Sequence, residues 1–434
     1  MKQTIEELKR LQSQPLERKV IMTRQRIREW VEHYGEDGVY VSFSGGKDST
    51  VLLDMVRKDY PNIPAVFVDT GLEYPEIREF VKSFENVVWL KPKMNFRAVI
   101  EKYGYPFISK EVSECVYGAR KYLTSILKSE NRVDTDRQTD RQTDHPYRYW
   151  YDRVTGQGRY KRKESIPNDA DNKALSEMTR GGGITSIVNY EELANILNDR
   201  MVNRKGGQNQ RLAIMLGMLT NDTKHPIKAT IHEGDRSNFS QERYQFLLDA
   251  PFEISQKCCG VMKKSPAHTY ARQTGRKPIT AQMASESRIR TQKWIQKGCN
   301  AFDNEYPISN PMSFWLENDV LEYIKQNGLR IASVYGDVVE DFEKEGQIDG
   351  QISLEEYGLM EKPKCYKTTG CKRTGCVFCL YGIHLEKSPN RLERLKETHP
   401  KLYDYVMRPE EQGGLGYKWK IDWINEHGNM NIKY

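Results

Sequence analysis

The chain has 434 residues, 38% of them hydrophobic and 29% charged, so it is polar for a globular protein but long enough for two or more domains. Its formal net charge of +7 suits an anionic partner such as a nucleotide or a nucleic acid, and a solvated basic surface explains it equally well. The first residues lack the apolar stretch of a signal peptide and no run of about 18 apolar residues occurs, so we expect a cytoplasmic protein without a membrane partner.

The N-terminal part of the chain predicts helices that alternate with strands. Residues 15–35 carry apolar side chains at helical spacing, with Pro15 near the start and Gly35 at the end. The elements that follow are a strand at 39–43, a helix from Ser49 onward, a strand at 63–69, a helix at 75–84 and a strand at 87–90. This alternation predicts an α/β fold, in which a parallel twisted sheet has helices on both of its faces.

The alternation breaks down between about residues 126 and 240, which we interpret as an inserted segment. Residues 135–144, TDRQTDRQTD, form a tandem repeat without an apolar side chain, so we expect them to be mobile. Residues 145–163 interleave aromatic and basic residues, a mixture that can stack bases and follow phosphates. The alternative for this stretch is a basic loop that packs its aromatic rings locally. Residues 189–201 predict a helix of a small subdomain.

Regular patterns return near residue 242. Residues 277–290 predict a short strand that ends in a polar loop, and residues 319–329 predict an amphipathic helix. The last part of the chain, from residue 346, is mostly helical and contains a cluster of cysteines. The chain has eight cysteines, and in a cytoplasmic protein they favour metal or redox chemistry over disulfides.

A loop with two glycines, SFSGGKDST at 42–50, follows the strand at 39–43. It does not match the Walker A pattern, because Val41 stands where the first glycine is needed and Asp48 follows the lysine. The loop nevertheless suits phosphate, since backbone N–H groups approach an anion closely where glycines carry no side chain. The next helix begins here and adds its N–H groups and its dipole, at the strand end where ligands bind in open α/β sheets. The candidates are Gly45 and Gly46 for their backbone, Ser44 and Ser49 for their hydroxyls, and Lys47 for its charge.

The sequence SGGKDS, followed by VLLDMV and AVFVDTGLEYPEIREFV, resembles the PP-loop ATP pyrophosphatases and, within them, the phosphoadenosine phosphosulfate (PAPS) reductase branch. The resemblance covers roughly residues 37–125 and 245–345 and implies an adenine nucleotide alpha hydrolase-like fold. It implies a nucleotide-binding domain at 37–345 that contains the insertion, between an N-terminal helical segment at 1–36 and a cysteine-containing region at 346–434. It also implies that Ser44, Gly45, Gly46, Lys47, Asp48 and Ser49 contact phosphate, that Asp69, Thr70 and Gly71 flank the adenosine, and that Lys47 and Asp48 are catalytic.

A later loop, MASESRIR, is similar to the arginine-bearing loop with which this family reaches the anionic end of its nucleotide. Glu286, Ser287, Arg288 and Arg290 match that loop in kind, and the two arginines are the implied nucleotide-binding residues. Arginine suits planar contact with phosphate or sulfate through two hydrogen bonds. The alternative is that these residues only begin a helix on a solvated face.

Two cysteine arrangements are candidates for a metal centre. Adjacent Cys258 and Cys259, with the distant C-x-x-C pair Cys376 and Cys379, resemble the assimilatory adenylylsulfate reductases, in which four such thiolates bind a [4Fe–4S] cluster. The alternative set is Cys365, Cys371, Cys376 and Cys379, which lie within 15 residues and could satisfy tetrahedral zinc. A third interpretation leaves these thiols free or redox-active.

One departure from the family concerns the nucleophile. PAPS and adenylylsulfate reductases carry a nucleophilic cysteine in a mobile C-terminal tail, but no cysteine follows Cys379 in this chain. Cys299 and Cys371 remain as other candidates for that role, whereas Cys115 is predicted to lie in the core of a helix. The C-terminal part instead resembles PAPS-reductase-like proteins of mobile elements and phages, and the sulfurtransferases of DNA phosphorothioation.

These resemblances imply an enzyme that cleaves ATP between the α and β phosphates with Mg²⁺ and adenylates an acceptor, while a [4Fe–4S] cluster serves sulfur or electron transfer. A nucleic acid or a sulfur-donor protein is a candidate partner besides the adenine nucleotide. One alternative is a sulfonucleotide reductase that acts on PAPS or adenylylsulfate. Another is a non-catalytic nucleotide- or DNA-binding module of a mobile element.

Overall fold

The computed structural model describes residues 3–130, 147–152, 157–162, 191, 193–195, 197, 207–221, 226–231, 235–237, 240–342 and 364–434. The repeat at 135–144 lies outside these ranges, as does much of the helix predicted at 189–201. The chain divides into two compact units, each built from two stretches. The first unit consists of Met1–Phe96 and Cys259–Phe378, and the second of Arg97–Cys258 and Cys379–Tyr434.

The helices and strands are named here in chain order. The strands are β1 Val39–Ser42, β2 Ala65–Val68, β3 Val87–Leu90, β4 Phe107–Ile108, β5 Tyr147–Asp152, β6 Gln157–Arg162, β7 Lys277–Ile279, β8 Asn300–Ala301, β9 Ile308–Ser309, β10 Val338–Glu340, β11 Tyr366–Thr368 and β12 Leu380–Tyr381. The α-helices are α1 Ile5–Gln12, α2 Leu16–Tyr34, α3 Lys47–Asp59, α4 Pro75–Lys82, α5 Phe96–Tyr103, α6 Lys110–Glu130, α7 Gly207–Met215, α8 Ser265–Thr274, α9 Arg288–Lys297, α10 Glu317–Gln326, α11 Arg391–Thr398, α12 Pro400–Met407 and α13 Tyr417–Gly428. A helical segment, Lys257–Cys259, leads through a π-helical turn, Gly260–Lys264, into α8.

The first unit is built on a sheet of six strands in the order β3-β2-β1-β7-β9-β8. Neighbouring strands run parallel from β3 to β9, and β8 alone pairs antiparallel with its neighbour. Val41 of β1 lies opposite Ala65 of β2 on one side and Ile279 of β7 on the other. The mostly parallel sheet with its helices confirms the predicted α/β fold.

The first long helix confirms the prediction for residues 15–35. Pro15 precedes α2, and Gly35 ends it at a φ of 77° that a side chain would disfavour. Ile27 and Trp30 are completely buried, and the Trp30 ring packs with its centroid 5.0 Å from that of Phe302. The apolar face of α2 is therefore part of the core of the first unit.

The strand before the SGGKDS loop and the helix after it are both buried, and they fix the position of the loop. Val39 and Val41 of β1 are completely buried, as are Val51, Leu52 and Val56 on one face of α3. Helix α3 begins at Lys47, two residues earlier than the sequence predicts. The loop therefore joins a buried strand to a buried helix at the carboxyl end of the central strand.

The second unit has a core of aromatic side chains. The Phe107 ring lies with its centroid 5.6 Å from that of Phe252 and 5.8 Å from that of Tyr417. The Lys420 ammonium is buried 4.1 Å from the Trp419 ring centre and pairs with Glu410.

Strands β4 and β12 of the second unit pair parallel. Part of the basic and aromatic segment at 145–163 forms an antiparallel hairpin of β5 and β6. Within the described ranges, no helix is long and apolar enough to cross a membrane.

Candidate functional site

The SGGKDS loop makes a turn that requires glycine at its second position. Gly45 has a φ of 71°, and a Cβ atom there would lie 2.6 Å from Val81 and 2.8 Å from Ile77. Both the backbone angle and the neighbouring helix α4 therefore exclude a side chain. The loop passes against α4 with its backbone.

Two serine hydroxyls hold the loop in shape. Ser49 Oγ accepts the backbone N–H of Ser44 at 3.2 Å and donates to the Gly46 carbonyl at 2.9 Å. Ser44 Oγ lies 3.0 Å from Ser49 Oγ and accepts the Gly46 N–H at 3.3 Å. These bonds set the loop on the first turn of α3, whose amides have no acceptor within the helix. Such a turn favours an anion.

Lys47 is held within the protein by two carboxylates. Its side chain is 3% exposed, and its Nζ atom lies 3.1 Å from Asp48 Oδ1 and 3.4 Å from Glu317 Oε1. Burial by itself would lower the pKa of Lys47, but Asp48 and Glu317 outweigh it, and the pKa is raised above its ordinary value. Lys47 therefore carries a permanent positive charge beside the loop.

The charges of Asp48 and of a second arginine, Arg373, both act on Arg290. Burial and the neighbouring Arg373 both lower the pKa of Arg290, and Asp48 opposes them, so Arg290 is close enough to each of these two groups to be influenced by its charge. Arg290 also pairs with Glu286, and Ser287 Oγ accepts the N–H of Arg290 at 3.3 Å. Arg288 is exposed. The MASESRIR loop therefore begins helix α9 and also brings Arg290 to the Asp48 side of the SGGKDS loop.

The residues predicted to flank an adenosine lie in a well-bonded loop after β2. Asp69 Oδ2 accepts from Arg78 of α4 at 2.9 Å, and its other oxygen accepts the Gly71 N–H at 3.3 Å. The Thr70 hydroxyl donates to Glu73 at 2.7 Å. This loop meets the cysteine-bearing segment, because Leu72 accepts the N–H of Val377 at 2.8 Å.

Two of the predicted metal ligands share a charged environment in the first unit. Burial raises the pKa of the Cys376 thiol, with Lys263 opposing the rise and Glu73 and Cys259 reinforcing it. The Lys263 pKa is raised, because Cys376 and Glu73 outweigh the effect of burial. Cys259 and Cys376 therefore lie around one ammonium group.

The thiols of the predicted iron–sulfur set are divided between the two units. Cys258 and Cys379, the other members of the predicted iron–sulfur set, belong to the second unit. In the described part of the chain, no three His, Cys, Asp or Glu side chains are grouped as they would be around a metal ion. Cys259 and Cys376 are soft ligands of the right kind, but they are two where a cluster or a zinc ion takes four. The metal centre stays a prediction.

The remaining thiols differ in their suitability as nucleophiles. Cys115 lies buried in α6, as predicted, and burial raises its pKa to about 11. Cys299 is buried as well, and burial raises its pKa. Since the thiolate is the attacking species, both are poor nucleophiles at neutral pH. Cys371 is partly exposed.

Several residues near the loop were not predicted from the sequence. Glu317, the first residue of α10, lies in no recognisable motif. The Tyr335 hydroxyl accepts the backbone N–H of Lys47 at 3.2 Å and lies 2.6 Å from Thr374 Oγ1. Thr374 and Arg373 belong to the segment TTGCKRTGC, whose glycines, hydroxyls and basic residues are the one signal that could have indicated an anion site.

Comparisons with known proteins place these observations in a family. The family model of the phosphoadenosine phosphosulfate reductase domain matches residues 38–139 and 209–380, which is more than half of the chain. An adenosine 5′-phosphosulfate reductase of Bacillus subtilis is 30% identical over 91 residues, which are 20% of this chain and 39% of that protein. An uncharacterised protein of Methanocaldococcus jannaschii is 42% identical over 73 residues, 16% of this chain and 18% of that protein.

These curated relatives are matched over less than half of their own length. Among solved structures, a PAPS reductase from Candida auris in complex with phosphate aligns with a TM-score of 0.30 and 10% identity, over 84% of this chain and 97% of that one. The match to the family model includes the SGGKDS loop, the loop after β2, Arg290 and the C-x-x-C pair. The chain therefore belongs to the phosphoadenosine phosphosulfate reductase domain family.

Proposed function

We propose that this protein is an enzyme that binds the phosphates of an adenine nucleotide at the SGGKDS loop and cleaves ATP between the α and β phosphates. The adenylyl group passes to an acceptor and pyrophosphate leaves. The observation that supports this best is the pairing of Lys47 with Asp48 at 3.1 Å at the first turn of α3, with Arg290 close enough to feel the charges of both Asp48 and Arg373. An anionic ligand with several charges is what such a group of cations favours.

The chemistry needed from the chain is electrostatic. Negative charge builds on the leaving pyrophosphate as the bond to the α phosphate breaks, and fixed donors stabilise it. The amides of the first turn of α3, together with Lys47, would supply those donors. Asp48 and Glu317 lie 3.1 Å and 3.4 Å from the Lys47 ammonium, and two carboxylates with the nucleotide phosphates are a donor set that fits Mg²⁺.

An iron–sulfur cluster or a zinc ion is a further part of the proposal. Cys259 and Cys376 beside Lys263 would provide two thiolates of a [4Fe–4S] cluster, which could transfer electrons or sulfur when bound. Zinc at the C-terminal cysteines is the alternative. The acceptor, for which a nucleic acid is one candidate, and a sulfur-donor protein are proposed partners.

Calorimetric titration with ATP and Mg²⁺ tests the nucleotide site. We expect Lys47→Ala to bind ATP roughly 10-fold or more weakly, because the loss of one charge-assisted contact costs about 1.5–3 kcal/mol. Lys58→Ala is the matched control, since Lys58 lies at the other end of α3 and pairs with Asp54. Equal ATP affinity of the wild type and the Lys47 variant would contradict the proposed site, and pyrophosphate release with candidate acceptors tests the reaction.

Sulfonucleotide reduction is the second candidate, because the matched Bacillus proteins are named adenosine 5′-phosphosulfate reductases. That reaction needs a thiolate to attack sulfur. Cys299 is buried, and burial raises the pKa of both Cys299 and Cys376, so neither suits the role. We expect no sulfite release from PAPS or adenylylsulfate with reduced thioredoxin. Turnover that disappears in Cys371→Ser would establish the reductase reaction instead.

A further inference from the structure

Two hydroxyl groups from the C-terminal half of the first unit reach the SGGKDS loop. Tyr335 is 2% exposed, and its Oη atom accepts the backbone N–H of Lys47 at 3.2 Å. The same Oη atom lies 2.6 Å from Thr374 Oγ1. Since the tyrosine oxygen is the acceptor toward Lys47, its own proton is available for Thr374. The three groups form a short chain from the backbone of the loop to Thr374.

Gly46 makes this approach possible. A Cβ atom at Gly46 would lie 3.2 Å from Tyr335 Oη and 3.6 Å from Thr374 Oγ1. A side chain would therefore crowd the tyrosine hydroxyl and contact that of Thr374. The glycine before α3 leaves room for a group that approaches the Lys47 amide, and in this structure the tyrosine hydroxyl takes that place.

The amide that Tyr335 engages is also one that an anion would use. Lys47 is the first residue of α3, and the first N–H groups of a helix are those that bind phosphate. One N–H cannot make a full hydrogen bond to a phosphate oxygen and to Tyr335 together. Burial raises the pKa of Tyr335, so the phenol stays neutral at neutral pH and does not repel an anion by charge.

Tyr335 is joined by its backbone to the segment that carries the C-terminal cysteines. Its carbonyl accepts the N–H of Gly370 at 2.8 Å, and the preceding Val334 carbonyl accepts the N–H of Cys371 at 2.9 Å. A Cβ atom at Gly370 would lie 2.5 Å from the Val334 carbonyl oxygen, so the two stretches pack backbone to backbone. A displacement of Tyr335 would therefore disturb the backbone hydrogen bonds of Gly370 and Cys371 as well as the contact with Thr374.

We propose that the Tyr335–Thr374 hydroxyl pair is a built-in competitor for phosphate at the Lys47 amide, and that phosphate binding releases this pair and loosens residues 369–376. The inference rests on the proposed function in one respect, the binding of phosphate by the SGGKDS loop. It adds a positioning role for Tyr335 and Thr374. The state of the nucleotide site is thereby transmitted to the segment that contains Cys371 and Cys376.

Pyrophosphate is the probe, because it needs no nucleoside site. Calorimetry compares wild type, Tyr335→Phe and Tyr40→Phe, the last being a control at a buried tyrosine whose ring contacts Tyr270 instead of the loop. We expect Tyr335→Phe to bind pyrophosphate roughly 2- to 10-fold more tightly, the factor that corresponds to one net hydrogen bond. Tyr40→Phe should bind as the wild type does.

Amide hydrogen exchange, read by mass spectrometry, follows the second part of the proposal. In the wild type, pyrophosphate should slow exchange in residues 44–50 and speed it in residues 369–376. In Tyr335→Phe and in Thr374→Val, the response of 44–50 should remain and the response of 369–376 should disappear. Melting temperatures near that of the wild type establish that both variants fold.

The outcomes separate this inference from the proposed function. If the wild type binds pyrophosphate but not ATP, the proposed function is contradicted. The pyrophosphate affinities and exchange rates of the variants can still be compared, so the inference is still tested. Normal ATP binding with equal pyrophosphate affinity in Tyr335→Phe, and an unchanged exchange response at 369–376, overturns the inference alone. Wild type that binds neither ligand overturns both.

Discussion

Gly45 and Gly71 have almost the same backbone conformation and very different surroundings. Their φ angles are 71° and 72°, but a Cβ atom at Gly45 would contact Val81 and Ile77 within 3 Å, whereas none of the described atoms lies within 4 Å of one at Gly71. The pair therefore separates the strain of a positive φ from steric crowding.

We expect Gly45→Ala to be more destabilising than Gly71→Ala. Both substitutions incur a positive-φ cost of about 1 kcal/mol, and overpacking against α4 adds roughly 1–3 kcal/mol at Gly45 only. Chemical denaturation of both variants checks this expectation. If the two alanine variants unfold at the same denaturant concentration, the loop does not pack closely against α4 at Gly45.

Cys115 gives a prediction for alkaline pH. Its pKa is about 11 in the folded protein, against an ordinary value of 9.0, because burial disfavours the thiolate. Between pH 9 and pH 11, Cys115 keeps its proton in the folded protein but loses it in the unfolded chain. The contribution of the buried thiol to the free energy of unfolding is therefore complete below pH 9 and falls as the pH rises toward 11. Between pH 8 and pH 10 the loss amounts to about 1 kcal/mol.

The variant Cys115→Ala isolates this effect. The free energy of unfolding of the wild type, relative to that of the alanine variant, should decrease by this amount from pH 8 to pH 10. A difference that does not change with pH would mean that the thiol is accessible to water in the folded state.

At the scale of single residues, the sequence predicted the loop better than its partners. Gly45, Gly46 and Lys47 stood in a recognisable motif, and the structure puts the two glycines directly before α3 and Lys47 at its first position. Tyr335 and Glu317 lie 288 and 270 residues further along the chain, and their pairing with Lys47 depends on how distant elements pack. Such contacts leave no local pattern in a single sequence.

Helices α2 and α10 are joined by a buried ion pair. Lys19 Nζ lies 2.7 Å from Asp319 Oδ2, and both side chains are largely inaccessible to water. The same Asp319 oxygen accepts the N–H of Leu316 at 2.6 Å and so holds the start of α10. The next residue after Leu316 is Glu317, the partner of Lys47. Helix α2 therefore helps to set the charge around the SGGKDS loop.

We expect Lys19→Ala to lower the free energy of unfolding by about 3–5 kcal/mol, since it leaves a buried carboxylate without its partner. Lys82→Ala is the control, because Lys82 and Glu79 form an exposed pair whose loss costs about 1 kcal/mol or less. Denaturant unfolding of the two variants makes the comparison. A Lys19 variant as stable as the Lys82 variant would show that the pair is open to solvent.

At the scale of elements, long amphipathic or buried segments were predictable and short ones were not. The predicted helices at 15–35 and 75–84 correspond to α2 and α4, and the first three strands lie where apolar runs predict them. Strands β8 and β9 have two residues each, too few to show a period. The antiparallel edge of the sheet was therefore not predictable from pattern.

At the scale of the whole molecule, each unit is assembled from two separate stretches of chain. The sequence predicted a domain interrupted by an insertion, and its boundaries at 36/37 and 345/346 stay predictions. Local sequence patterns predict individual helices and strands. Which distant stretches of the chain form one unit depends on contacts between residues far apart in the sequence, and local patterns do not predict those contacts. The predicted metal centre likewise depends on contacts between cysteines that are distant in the sequence.

We expect anaerobically purified protein to be brown and to contain roughly four irons and four sulfides per chain. Cys259→Ser should abolish the colour, since it removes a thiolate of the predicted set. Cys365→Ser is the matched control, because this cysteine belongs only to the zinc alternative. Colourless protein that holds zinc, and loses it in Cys365→Ser but not in Cys259→Ser, would establish the alternative site.

The ion pair between α2 and α10 has a consequence for anyone who shortens this protein. An expression fragment that starts at β1 would keep every glycine and lysine of the phosphate loop, but it would lack Lys19 and the buried face of Ile27 and Trp30. Asp319 would then be buried at the start of α10 without its cationic partner. We expect such a fragment to aggregate. A fragment of the first unit that folds should therefore include helix α2.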